Sequence, residues 1–156
     1  MLFGTKIKLR AIEPSDIDLL HKWENDRSIW GVSNTITPFS RLEIEEYITS
    51  IRDIYADKQL RLMIVKSSKS PSGKGEGKGE VGCIDLFDFD KNNLRAGVGI
   101  LIAESSQRQK GYASEALELL IKYCFTILNL HQLYCNIPVD NEASIKLFKK
   151  YGFQEI

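Results

Sequence analysis

From Ala113 onward, apolar residues recur at Ala116, Leu117, Leu120, Ile121, Cys124, Phe125 and Leu128. That spacing draws one stripe along a helix, so the segment predicts an amphipathic helix of about four turns. A helix of this kind must bury its stripe against another layer. Its flanks say which layer: AGVGILIA (96–103) before it and LYCNI (133–137) after it both read as strands. Strand, helix and strand in this order predict a mixed sheet with helices packed on it.

The other segments extend this picture. KIKLR (6–10) alternates like a short strand. In EPSD, Pro14 suits a first helical position and Asp16 a first turn, so a helix is expected near 14–25. Ser40 and Glu43 form the S-x-x-E capping pattern ahead of Leu42, Ile44, Tyr47, Ile48 and Ile51, predicting a second helix at about 41–56. RLMIVK (61–66) and VGCIDLFDF (81–89) are strand-like, and the turn-rich DKNN between the latter and AGVGILIA predicts a hairpin. Asp140 or Asn141 caps a last helix that ends at Gly152. The order is β-α-α-β-β-β-α-β-α, an α/β fold (α+β in some schemes) in a single domain over residues 1–156.

Residues 67–80, SSKSPSGKGEGKGE, are too rich in Gly, Ser and Lys to bury a core and read as a mobile loop within the domain. Their GKGEGKG lacks both the strand-to-helix setting and the G-K-[ST] ending of a phosphate-binding P-loop.

The chemistry is concentrated just before the long helix, in Arg108-Gln109-Lys110-Gly111-Tyr112-Ala113. First-turn amides of a helix lack internal partners, and the macrodipole adds partial positive charge there. Gly111 lets a phosphate approach the backbone, Ala113 does not block it, and Ser114 offers a hydroxyl. Taken alone, the same residues read equally well as a solvated basic turn.

Composition narrows the field. Lys+Arg and Asp+Glu both number 21, which argues against a non-specific nucleic-acid or anionic-membrane binder. No apolar run approaches the roughly 20 residues of a membrane span, and MLFGTKIKLR has no signal-peptide core. Cys83, Cys124 and Cys135 lack metal-ligand spacing and read as reduced thiols, so no metal and a cytoplasmic location are expected. His21 and His131 read as surface or structural residues.

The joint order of these pieces carries further than any one of them. Strand, R-x-x-G-x-A (Arg108, Gly111, Ala113), long helix, strand, then N-x-x-S (Asn141, Ser144) on a helix ending in K-x-G-F (Lys150, Gly152, Phe153) resembles the GNAT superfamily of acyl-CoA N-acyltransferases. LRAIEPSDIDLLHKWENDRSIW (9–30) looks like its branch of ribosomal-protein and polyamine N-acetyltransferases. The resemblance runs from Ile7 to Phe153. It implies a mostly antiparallel sheet, acetyl-CoA as co-substrate, and direct attack of a primary amine on the thioester. The acceptor would be a small cationic amine such as a polyamine, or a protein N-terminus. Pyrophosphate would sit on the backbone of Arg108, Gln109, Lys110, Gly111, Tyr112, Ala113 and Ser114. The pantetheine arm would pair with main-chain groups of Ile100, Leu101 and Ile102. Asn141 would contact the pantetheine or adenine end, while Ser144 and Phe148 would line the thioester region. The strands at 97–103 and 133–137 would splay to admit it.

The chain also departs from the family. The Tyr expected four residues after Ser144, a proton donor to the thiolate, is Phe148, which leaves Tyr151 as substitute. The Glu often found before the phosphate turn is replaced by Gly97 in AGVG, which leaves Asp85 as candidate base, or a water chain. The first two helices would wall the acceptor site with Trp23, Glu24 and Trp30, among other acidic and aromatic residues. Two further strands are expected after Gly152-Phe153; the chain ends at Ile156, so either it is truncated or another subunit, as in a homodimer, completes the sheet. An acyl-CoA-binding sensor without catalysis is the alternative that Phe148 and Gly97 favour.

Overall fold

The computed structural model describes residues 1–33, 35–67 and 79–156. Six strands form one sheet in chain order: β1 (Leu2–Phe3), β2 (Ile7–Ala11), β3 (Leu60–Lys66), β4 (Glu80–Asp90), β5 (Arg95–Ile102) and β6 (Gln132–Tyr134). Every neighbouring pair is antiparallel except β5 and β6, which run parallel. The helices are α1 (Ile17–Glu24), α2 (Arg27–Ser33), α3 (Arg41–Thr49), α4 (Ile54–Asp57), α5 (Tyr112–Thr126) and α6 (Glu142–Lys150). The parallel β5–β6 pair needs a crossover, and α5 supplies it. No helix among the described residues is long and apolar enough to cross a membrane.

The alternation of side chains along the strands builds two cores, one on each sheet face. Leu62 and Ile64 of β3 face one side with Ile84, Leu86 and Val98; there the α5 stripe of Ala116, Leu117, Leu120 and Cys124 packs. Met63 and Val65 face the other side with Cys83, under Leu20, Trp23, Ile29, Ile44 and Ile48 of α1–α3. Burial pushes the Cys83 and Cys124 thiols up to about 12, which keeps them unreactive.

Several boundaries differ from the sequence expectation for local reasons. The helix expected over 41–56 starts as expected, with Ser40 Oγ and the Glu43 carboxylate each accepting from the other's backbone N–H. It stops at Thr49, because the Asp53 carboxylate accepts from Tyr55 N and Ala56 N and restarts the chain as the short α4. The segment from Pro14 opens as a 3-10 turn before α1. Helix α2 and strand β1 were not expected. Strand β6 leaves the ladder after Tyr134 rather than at Ile137. The DKNN hairpin is present, with Asp90 Oδ1 accepting from the amides of Asn92 and Asn93. The expected mobile loop at 67–80 falls mostly outside the described residues; of its ends, Ser67 N bonds to Lys6 O and Glu80 already belongs to β4.

Candidate acetyl-CoA site

Strands β5 and β6 pair at three positions only, Arg95–Gln132, Ala96–Leu133 and Gly97–Tyr134. Beyond them the strands part, and the edge of β5 from Val98 to Ile102 has no strand partner on that side among the described residues. The opening leads to the turn before α5. There Gln109 and Gly111 both take left-handed backbone, with φ of 59° and 83°. Gly111 is the N-cap of α5 and has no side chain with which to cap it. The first-turn amides therefore keep their donors for an outside acceptor.

A groove of about 290 Å³ runs from β5 to this turn, lined among others by Ile100, Ile102, Gln109, Gly111, Tyr112, Ala113, Ser114 and Ser144. A second hollow of about 430 Å³ adjoins it, sharing Ile100, Ile102, Arg108 and Ser144 and adding Leu101, Asn141 and residues of α2. Eleven of the thirteen residues expected to hold the cofactor thus line these two adjoining hollows, the depression between β5, the turn and α6. Arg108 Nε donates to Ile102 O at 3.2 Å, tying the turn to the end of β5. Asn141 Oδ1 accepts from Ser144 N and caps α6, which aims that helix end at the depression.

The other two cofactor candidates lie elsewhere. Lys110 offers its carbonyl to Lys6 Nζ at 3.2 Å. Phe148 is 3% exposed, its ring edge-on to Phe153 at 4.9 Å, and lies in the core under α6 rather than on the groove wall.

A sequence model of the Acetyltransferase (GNAT) domain matches residues 6–154. The chain belongs to the GNAT acetyltransferase family. Among its relatives, a spermidine N(1)-acetyltransferase of Vibrio cholerae is 29% identical over 97% of this chain and 81% of its own length. An alpha/beta-tubulin-N-acetyltransferase 9 of Drosophila melanogaster is 29% identical over 99% of this chain and 78% of its own. The crystal structure of the Vibrio cholerae spermidine N-acetyltransferase with CoA and spermine superimposes with a TM-score of 0.83, at 25% identity, covering 98% of this chain and 83% of that one.

Within this GNAT frame the remaining candidates fall into two groups. On the sheet face under α1–α3, Asp85 accepts from Arg61 Nε at 2.8 Å and from Arg61 Nη2 at 3.0 Å. Arg61 Nη1 also reaches Glu24 at 2.9 Å, and the guanidinium lies over the Tyr47 ring. Glu24 and Asp85, expected in separate roles, are thus joined through one arginine that sequence reasoning passed over. Trp30 donates its indole N–H to Glu24 O, while Trp23 is 4% exposed and belongs to the core. Glu43 is held by its cap and Glu45 by Arg41, so much of the expected acidic wall is spent on the local fold.

Tyr151 lies beside α5. Its hydroxyl shares a hydrogen bond with Ser114 Oγ at 2.8 Å, and Lys150 Nζ donates to the same Ser114 oxygen. It therefore reaches the groove through Ser114.

Phe87 and Tyr134, by the parting of the strands, carried no sequence signal. A Cβ on Gly97 would lie 2.3 Å from Phe87 Cε2, so the Phe87 ring fills the space that a residue-97 side chain would need. Tyr134 stands edge-on to Phe87 at 5.8 Å and donates its hydroxyl to Asp88. Burial, and the hydrogen bond to Asp88, push the Tyr134 phenol above its usual value.

Proposed function

We propose that the chain acetylates a small cationic primary amine, of the polyamine class, from acetyl-CoA held in the depression between β5, the 108–114 turn and α6. The observation that carries this reading is the parting of β5 and β6 after Gly97 and Tyr134, which frees a β5 edge that leads along one groove to an uncapped helix N-terminus. The strand edge suits an amide-bearing arm, the helix N-terminus suits a pyrophosphate, and the two lie at opposite ends of one groove. The names of the relatives, spermidine acetyltransferases among them, support the acceptor class.

In this reading Ile100, Leu101 and Ile102 hold the pantetheine through main-chain groups, and the amides from Arg108 to Ser114 hold the pyrophosphate. Proximity of amine and thioester lowers the barrier by making the attack effectively unimolecular. An amide of β5 left free by the parting can donate to the developing oxyanion. Glu24, Trp30 and Asp85 face the acceptor side. Among the described residues the far edge of β6 has no strand partner, and self-association through that edge belongs to the proposal; a monomer by sedimentation at micromolar concentration would remove it.

The test is thiol release from acetyl-CoA in the presence of spermidine, spermine, putrescine, an N-terminal peptide and an aminoglycoside. Turnover is expected with the polyamines. CoA binding without transfer to any amine would instead identify a non-catalytic acyl-CoA sensor.

Asp85 is proposed to relay the ammonium proton, since a carboxylate has about four lone-pair directions and Arg61 occupies two. Asp85→Asn is expected to lower kcat at neutral pH by about 100-fold, the low end for a general base. The KM for acetyl-CoA should not change. Raising pH toward the amine's own pKa, about 10 for an alkylamine, should restore the rate, because the amine then arrives neutral. A loss that stays constant with pH would make Asp85 only an anchor for Arg61.

A further inference from the structure

The turn that faces the groove is propped from the far end of the sequence. Glu115, in the first turn of α5, collects four donors on one carboxylate. Its Oε1 accepts from Thr5 N at 2.9 Å and Thr5 Oγ1 at 2.6 Å, and its Oε2 from Lys6 N at 2.8 Å and Ile7 N at 2.7 Å. Three of these donors belong to the β1–β2 connection, and the fourth is the amide of Ile7, the first residue of β2. A Cβ on Gly4 would stand 2.6 Å from the Glu115 carboxyl, so glycine is needed for this close approach. Burial alone would raise the Glu115 carboxyl, yet the hydrogen bonds from Thr5, Ile7 and Lys6 outweigh it and leave it below the usual carboxylate range. The side chain is therefore anionic at neutral pH and can hold all its donors at once.

The connection so fixed delivers Lys6 to the phosphate turn. Lys6 Nζ donates to Lys110 O, and a Cβ on Gly111 would lie 2.8 Å from the same nitrogen. A trans peptide directs its C=O and N–H to opposite sides. Pinning the Lys110 carbonyl toward Lys6 therefore directs the Gly111 N–H away from Lys6. Gly111 lines the groove and Lys6 does not.

We infer that Glu115 and Lys6 form a positioning clasp for the pyrophosphate of acetyl-CoA. Glu115 fixes the β1–β2 connection, and Lys6 then orients the Lys110–Gly111 peptide and adds a positive charge behind it. The inference rests on the acetyl-CoA reading above, and it makes both residues act through the turn rather than on the ligand.

The experiment compares acetyl-CoA with S-acetylpantetheine, which carries the thioester arm without the phosphates. Wild type is expected to show a much lower KM for acetyl-CoA; equal KM values would overturn the phosphate-turn reading itself, and the clasp with it. Given that difference, Lys6→Met and Glu115→Gln should each raise the KM for acetyl-CoA by about tenfold, the scale of one hydrogen bond to a charged group. Their kcat values and their KM for S-acetylpantetheine should stay within about twofold of wild type, and Lys6→Arg should recover part of the loss. Equal losses with both substrates would mean a general structural role, and no loss in Lys6→Met would mean that the turn holds its shape unaided. Either result overturns the clasp while leaving the acetyl-CoA site in place.

Discussion

Replacing Gly111 with valine is expected to abolish the stabilisation of this protein by CoA. At a CoA concentration of about 100 Kd, wild type should gain about 2.7 kcal/mol, which for a domain of this size is a rise in Tm of about 5–10 °C. Gly111 has a φ of 83°, a region in which a side chain costs roughly 1–2 kcal/mol and a β-branched one more. Its new Cβ would also press on Lys6 Nζ. The turn then relieves itself by flipping, and the amides that face the groove are lost together. Because the strain falls in an exposed turn, free protein should lose only a few degrees of Tm while the CoA shift disappears. Gly111→Ala should fall between the two. A CoA shift of normal size in the valine variant, measured by differential scanning fluorimetry, would mean that phosphate binds elsewhere.

How much of this site was legible in the sequence depends on how local its determinants are. The stripe of α5, the capping pair Ser40 and Glu43, the Asn141 cap and the glycine ending α6 are all set within about four residues, and each was readable. Helix α2 was not, because RSIWGVS carries a glycine and β-branched residues and has poor intrinsic propensity. What supports it is burial of Ile29 in the second core. The helix expected to continue to 56 ends early for the opposite reason. Ile44, Ile48 and Ile51 sustain the period, but Asp53 offers its carboxylate to two amides beyond it, and a cap outcompetes a pattern. The turn before α5 was legible as a turn because glycine, basic residues and a helix start are adjacent in the chain. Lys6 bracing Lys110, Arg61 joining Glu24 to Asp85, and Phe87 covering Gly97 are pairings between distant segments, and no spacing rule announces them.

The last of these pairings bears on the chemistry. Gly97 stands where the family resemblance leads one to expect a glutamate, so introducing that residue looks like an improvement. Gly97→Glu is expected instead to be among the most damaging single changes in the sheet. Its Cβ would meet three atoms of the Phe87 ring at 2.3, 2.4 and 2.7 Å, and Phe87 is backed by Tyr134. Overpacking of this kind costs about 1–3 kcal/mol. Gly97 is also buried, so an unpaired carboxylate there adds a desolvation cost of a few kcal/mol more. Together they should lower Tm by roughly 10 °C or more at 2–4 °C per kcal/mol, with no gain in acetyl transfer. Gly99→Ala is the matched control, since its Cβ would meet Phe87 and Asp85 at 3.9 and 4.0 Å, an ordinary contact, and it should be close to neutral. Phe87→Ala combined with Gly97→Glu should be less destabilised than the sum of the two single changes by at least about 1 kcal/mol, the signature of a direct steric coupling. Strict additivity in thermal or urea unfolding would show that Phe87 moves aside and that the glycine has another cause. If the coupling is found, residue 97 is closed to a carboxylate by packing. In the proposed reaction the proton then passes to Asp85, on the neighbouring strand across from Gly99, or directly to solvent.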